Sequence, residues 1–279
     1  MKKSGFLGLL LITLFFASCS STEMIYAPIA VDDSVDAPPV TGLFKKKVLI
    51  EDYTGTWCGN CTRVSYAISK VEEQTDNVVA VAIHNGNDPY HYAAVGPLQE
   101  LVSPNHDLEL PVSRLNRITM WTPFENDHIE EALNLTSNNC GLGLAIHSMT
   151  GDGSISLDVK VKFAQNYDNL RLVVYVLENH LIYRQYNYYT FCYGGVRPTI
   201  QNFEHNHVLR AALTDLLGNT LTNTNFNQTV TTNFSVVLPS NISNADNISY
   251  VAFVVDANNN VINVRSAESN EDQTFEENP

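Results

Sequence analysis

The sequence predicts two units in series, an α/β unit over residues 45–137 and an all-β sandwich over residues 138–267. Three observations point there. The apolar run Val48-Leu49-Ile50 leads through Trp57-Cys58-Gly59-Asn60-Cys61 into an amphipathic stretch. A second continuous, β-branched run, Val78 to Ile83, reads as a central strand buried on both faces. Beyond Asn138 strict apolar-polar alternation replaces helical periodicity.

Ahead of these units, Lys2 and Lys3 precede an apolar run from Phe6 to Phe16, and Phe15-Phe16-Ala17-Ser18-Cys19 follows. This resembles a bacterial lipoprotein signal peptide, in which small residues precede a cysteine that is lipidated and becomes the new N-terminus. The run is too short to span a bilayer as a mature helix, so residues 1–18 are expected to be cleaved and Cys19 to carry the lipid. Ser20, where an aspartate would signal retention, resembles the pattern for transfer to the outer membrane. Residues 19–44 carry Pro28, Pro38 and Pro39 and little periodicity, as a tether would.

The formal net charge of -14 becomes more negative once the two lysines are removed. Such a surface excludes nucleic acid as a partner and excludes adhesion to anionic lipid by charge, both of which need a basic patch. Membrane contact must then come from the acyl chains on Cys19.

In the first unit, Cys58 and Cys61 can close a small disulfide at a helix start, and the helix N-terminus stabilises the Cys58 thiolate. Val64, Ala67, Ile68 and Val71 share one helical face. A structural bridge and half of a zinc site are the alternatives. Zinc would need two more ligands at recognisable spacing, and no second Cys-x-x-Cys or His-x-x-x-His occurs. A closing helix is expected after Asp127, with Ile129, Ala132 and Leu133 on one face.

In the second unit, Ile155, Leu157, Val159, Val161 and Phe163 alternate with polar neighbours, and Leu170 to Leu177 is a denser run. Gly151-Asp152-Gly153 and Asp256 to Asn260 read as hairpin turns. Runs at 208–213, 230–238, 249–255 and 261–264 bring the total to about seven or eight strands, a number that favours an immunoglobulin-like sandwich. Residues 268–279 are acidic, poor in apolar residues and expected to be loose. Cys140 and Cys192 remain as a candidate structural disulfide or as two buried thiols.

Lys47 to Cys61 (KVLIEDYTGTWCGNC), Val81-Ala82-Ile83-His84, the Pro111 to Arg117 segment and His205 to Ala211 together resemble the twenty-eight-kilodalton outer-membrane protein family of bacterial lipoproteins. The resemblance covers nearly the whole mature chain and implies an outer-membrane location with a surface adhesin or receptor role. The first unit separately resembles thioredoxins, which makes the expected fold a thioredoxin-like α/β domain followed by the immunoglobulin-like sandwich. That resemblance implies Asp52 as the general base for Cys61, with Glu51 in its place if the register slips by one, because alternation sends the two to opposite faces. It also implies a cis Leu110-Pro111 bond shaping a substrate groove, and Trp57 contacting the incoming chain.

Departures from the thioredoxin pattern are Asn60 between the cysteines, Thr62 after them, and the lack of a lysine between Val78 and Asp88. If the pair is active, the Cys58 thiolate attacks a disulfide of an exported protein and Cys61 resolves the mixed disulfide. The alternative is a binding protein with a permanent bridge, recognising a surface ligand through the tyrosine-rich 181–206 segment, which otherwise reads as an aromatic flap. His84 ends a strand near the cysteines. His205 and His207 lack a third ligand, so no metal and no cofactor is expected.

Overall fold

The computed structural model describes residues 29–32, 42–105, 107–136, 139–195 and 198–278. The expected signal peptide, Cys19 and most of the expected tether lie outside the described residues. The chain runs through β1 (Ile29–Asp32), β2 (Leu43–Lys45), β3 (Val48–Thr54), α1 (Thr62–Glu72), β4 (Val78–His84), α2 (Gly96–Val102), β5 (Val112–Leu115), β6 (Thr119–Met120) and α3 (Ile129–Leu135). It continues through β7 (Asn139–Cys140), β8 (Leu142–Gly151), β9 (Ser154–Phe163), β10 (Arg171–Glu178), β11 (Leu181–Tyr186), β12 (Thr199–His205) and β13 (Val208–Ala212). The last elements are β14 (Asn219–Thr220), β15 (Thr229–Val237), β16 (Ile248–Val255), β17 (Val261–Glu268) and β18 (Glu277–Asn278).

The expectation of a thioredoxin-like α/β domain followed by an immunoglobulin-like sandwich is overturned by the main sheet. Its strand order is β17-β16-β10-β13-β4-β3-β5-β6, with β14 also beside β10, so strands from both halves of the chain form a single sheet. The junction is the parallel pairing of Val208 in β13 with Ala82 in β4, where Ala82 N–H donates to the His207 carbonyl at 2.8 Å. The sheet then curls until its far strand meets the β5–β6 turn: Val261 N–H donates to Asn116 O at 2.9 Å.

Side-chain alternation explains why a separate α/β domain does not form. Leu49 and Tyr53 of β3, with Val79, Val81 and Ile83 of β4, face one core shared with Val173 and Tyr175 of β10 and Val251 and Phe253 of β16. The opposite faces diverge. On β3 and β4, Ile50, Val78 and Ala80 pack under α1 and α3 with Val64, Ala67, Val71, Trp121 and Ala132. On β10 and β16, Leu172, Val174, Tyr250 and Ala252 pack against the four-stranded sheet β1-β15-β9-β8. The continuous apolar runs are thus strands buried on both faces, and the face expected to lie inside an independent domain is the shared core.

Two small sheets complete the fold. β18-β2-β7 holds residues 268–278 against the body: Phe275 packs on Phe44 with ring centroids 6.0 Å apart, and Glu276 pairs with Lys47 at 3.6 Å and Arg265 at 2.5 Å. Those contacts bind a segment whose composition alone suggested looseness. Among the described residues β11 and β12 pair only with each other and form a two-stranded arm.

Candidate functional site

The arm lies over the cysteine motif. After β3 the chain turns at Gly55, with Cys58 N–H donating to Gly55 O at 2.9 Å, and α1 begins after Cys61. Cys58 and Cys61 are joined in a disulfide with 5.4 Å between Cα atoms. They are 5% and 1% exposed.

The cover is made of hydrogen bonds. Tyr186 N–H donates to Thr56 O at 2.9 Å, and Tyr188 N–H donates to Gly59 O at 2.8 Å. Gln185 Nε2 donates to Cys58 O at 2.9 Å, and Thr62 Oγ1 donates to Asn187 Oδ1 at 2.8 Å. A Cβ at residue 59 would lie 2.6 Å from the Tyr188 ring, so glycine there allows the ring to close over the turn. Gln185 and Asn187 are buried parts of this clamp that sequence reasoning missed, because polar residues in a tyrosine-rich segment carry no periodic signal.

The other expected site residues lie on β3 or on the segments that adjoin it. Trp57 is 45% exposed and its Nε1 donates to Asn85 O at 2.9 Å. Leu110-Pro111 is a cis peptide immediately before β5. Glu51 and Asp52 face opposite sides of β3. Glu51 accepts from buried Arg117 at 2.7 Å on the shared-core side. Asp52 faces α1, where burial first and then the neighbouring Glu125 raise its carboxyl pKa well above the ordinary range, against the opposing Arg63. Among the described residues its Oδ1 has no hydrogen-bond partner, Cys61 included.

Asp88, also missed, ties the loop after β4 to the cysteine turn. It accepts from Thr56 N–H at 2.5 Å and Tyr90 N–H at 2.8 Å, and lies 3.1 Å from His84 Nδ1. Burial pushes its carboxyl up, but these hydrogen bonds and His84 bring it down to about 2.

Cys140 and Cys192 are not bridged. Both are free and buried. Cys140 lies beside Phe44 and Ile262, whereas Cys192 belongs to the arm loop, where burial pushes its thiol up to about 11. Such thiols are inert at neutral pH. His205 and His207 also separate: His205 is buried, while His207 pairs with Glu72 at 3.1 Å. Among the described residues no group of three or more His, Cys, Asp or Glu side chains could hold a metal ion.

A cavity of about 260 Å³ lies between α1, the α1-facing side of β3 and β4, and the arm. Small side chains create it: Ser65 and Ser69 on the helix, Ala80 and Ala82 on β4. Asp52, His84, Gln185 and His205 supply buried polar groups to its wall. His205 is pushed down to about 3 by burial and then by His84, so its imidazole is neutral, and among the described residues its Nε2 has no hydrogen-bond partner.

Fold and site together define a disulfide-stapled, β-rich protein with a cavity roofed by an aromatic arm. The model of the outer membrane protein Omp28 family matches residues 107–273, more than half of the chain, and the protein belongs to that family. It is an outer-membrane protein. Among solved structures, HBP35 of Porphyromonas gingivalis is similar in fold, with 19% identity and a TM-score of 0.61 over 84% of this chain and 78% of that one. A domain of the outer membrane lipoprotein Omp28 from Porphyromonas gingivalis matches at 22% identity and a TM-score of 0.32, over 48% of this chain and 92% of that one. No curated protein matches the chain.

Proposed function

We propose that this outer-membrane protein is a lipid-anchored surface receptor or adhesin, and that the Cys58–Cys61 bridge is a structural staple within it. The observation that carries the reading is the clamp over the disulfide. Thiol-disulfide exchange needs an accessible Cys58 sulfur, and here the backbone carbonyls of Thr56, Cys58 and Gly59 are all occupied by the arm. Exposed aromatic surface beside the clamp favours binding as the function. Trp57, Phe124, Tyr188 and Phe191 all stand out to solvent, and Phe124 meets Tyr189, which meets Phe191, in edge or tilted contacts. The lipid anchor rests on the sequence around Cys19.

The test is Cys61→Ser expressed in the native envelope and examined on non-reducing gels. The expected result is no discrete conjugate that depends on Cys58. Defined mixed disulfides that vanish when Cys58 is also replaced would overturn the proposal and establish exchange on exported proteins.

A further inference from the structure

We infer that the open half of the β4 edge is a docking slot for an extended, basic peptide segment of a partner protein, which adds there as a strand. This names a partner class for the receptor reading above and rests on that reading for its biological meaning.

The hydrogen-bond ladder shows which way β4 faces. Asn85 N–H donates to Thr54 O at 2.9 Å and Val48 N–H donates to Asn77 O at 3.0 Å, so the odd-numbered positions from 77 to 85 turn their backbone groups towards β3. The even-numbered positions of a strand in a parallel pair turn the other way, as the bond from Ala82 N–H to the His207 carbonyl shows. β13 begins only at Val208 and meets β4 at Ala82. The N–H and carbonyl groups of Val78 and Ala80 therefore lie beyond the start of β13, and among the described residues they make no hydrogen bond.

The chain that would cover them is diverted. Upstream of Val208 it turns at His207, whose φ of 59° is left-handed, and runs into β12 of the arm. A cavity of about 300 Å³ is left beside Val78, Val79 and Ala80, with Leu177 and Ser249 also in its wall. Ala80, Glu72, Asn206 and His207 border both this cavity and the one under the arm, so the groove continues along β4. A strand edge with unpaired donors and acceptors is a template for another strand. Three residues of extended chain span about 10 Å, enough to pair with both Val78 and Ala80.

Charge decides which segment docks. No lysine or arginine lines either cavity, and Glu72 and Glu268 stand in the wall of the slot. The imidazoles of His207 and His180 already face carboxylates, Glu72 at 3.1 Å and Glu204 at 2.8 Å. Glu268 uses its backbone N–H and carbonyl for Glu271 and Ser148, and among the described residues its carboxylate has no ion-pair partner. A lysine or arginine beside the slot would meet that carboxylate, whereas an acidic segment would be repelled by it and by the net charge of -14.

The probe is a blocked pentapeptide of alternating lysine and valine, titrated into the folded, isotope-labelled protein at neutral pH and low ionic strength and followed by NMR. It is expected to show intermolecular Overhauser contacts with the Val78 methyls and the His207 ring, and to bind at least tenfold more tightly than the same peptide with glutamate for lysine. N-methylation of its backbone amides should abolish binding, because the donors are lost while side chains and charge remain. Val78→Pro removes a donor that faces the slot rather than β3, and Glu268→Gln removes the unpaired charge, so each should weaken binding several-fold. Should either variant fail to fold, the contacts and the peptide series on the unmodified protein still decide. Absence of binding, contacts elsewhere, equal binding of the acidic peptide, or undiminished binding of the N-methylated one would each overturn the inference. The Cys58 trapping result is independent, so loss of the receptor reading and loss of this slot are told apart.

Discussion

Arg117 is the sharpest place to test whether the curled sheet folds as one unit. Its Nε and Nη2 donate to Glu51 Oε1 at 3.0 and 2.7 Å, and Nη2 also donates to Tyr175 Oη at 3.0 Å. The guanidinium lies 4.9 Å from the Phe253 ring centroid. Glu51 is in β3, Tyr175 in β10 and Phe253 in β16, so one side chain from the β5–β6 turn joins strands far apart in sequence. Both charged groups are fully buried. Burial works against the Arg117 charge, yet Glu51 beside it raises its pKa above the ordinary value.

Replacing Arg117 by Met leaves Glu51 buried without its cation, which costs about 3–5 kcal/mol. Loss of the aromatic contact adds about 1 kcal/mol. Glu51→Leu should cost a similar amount by stranding Arg117. The double variant should cost several kcal/mol less than the sum, because replacing both ions with apolar groups of like size is close to neutral. The assay is equilibrium unfolding in urea, followed by far-ultraviolet circular dichroism and by fluorescence, for which buried Trp121 reports on the α1–α3 layer. Both signals should shift together. An Arg117→Met cost below about 1 kcal/mol, or an additive double variant, would refute the reasoning.

Three further outcomes follow from the site. Replacing Cys58 and Cys61 together by alanine should cost about 2 kcal/mol, since a bridge between residues three apart restricts the unfolded chain only modestly; urea midpoints check this. Gly59→Ala should drive a methyl into the Tyr188 ring, costing about 1–3 kcal/mol and raising thiol labelling of Cys58 under mild reductant, while adding Tyr188→Ala should restore stability. His205 has its folded pKa depressed to about 3 from 6.5, so the unfolded chain takes up the proton first. Stability is therefore full above pH 6.5 and is lost as pH falls towards 3, by up to roughly 5 kcal/mol. Thermal unfolding of His205→Gln should lack this portion of the acid loss.

Local pattern reached far along the chain. The alternation from Ile155 to Phe163 is β9, and the dense run at 170–177 is β10, because side-chain period is a property of the strand itself. The cysteine pair stands at the start of α1, as the spacing of Val64, Ala67, Ile68 and Val71 requires. The segment from 181 to 206 was less legible. Its β11–β12 arm carries a register shift between Tyr183 and Gln185, so no clean alternation marks it.

The sequence by itself determined the strands buried on both faces, the short cysteine loop, the acidic charge and the family. Only the tertiary structure decided what covers each face. A strand such as Val78–His84 announces that both sides are apolar, but α1 on one side and the core shared with β10 and β16 on the other are equally apolar partners. The choice rests on the pairing of β13 with β4, residues more than a hundred positions apart, and on Arg117 reaching Glu51 and Tyr175. The same holds at the cysteines. Their spacing permits exchange, and the arm closing over them from residues 185–188 is a long-range contact that short-range periodicity does not encode.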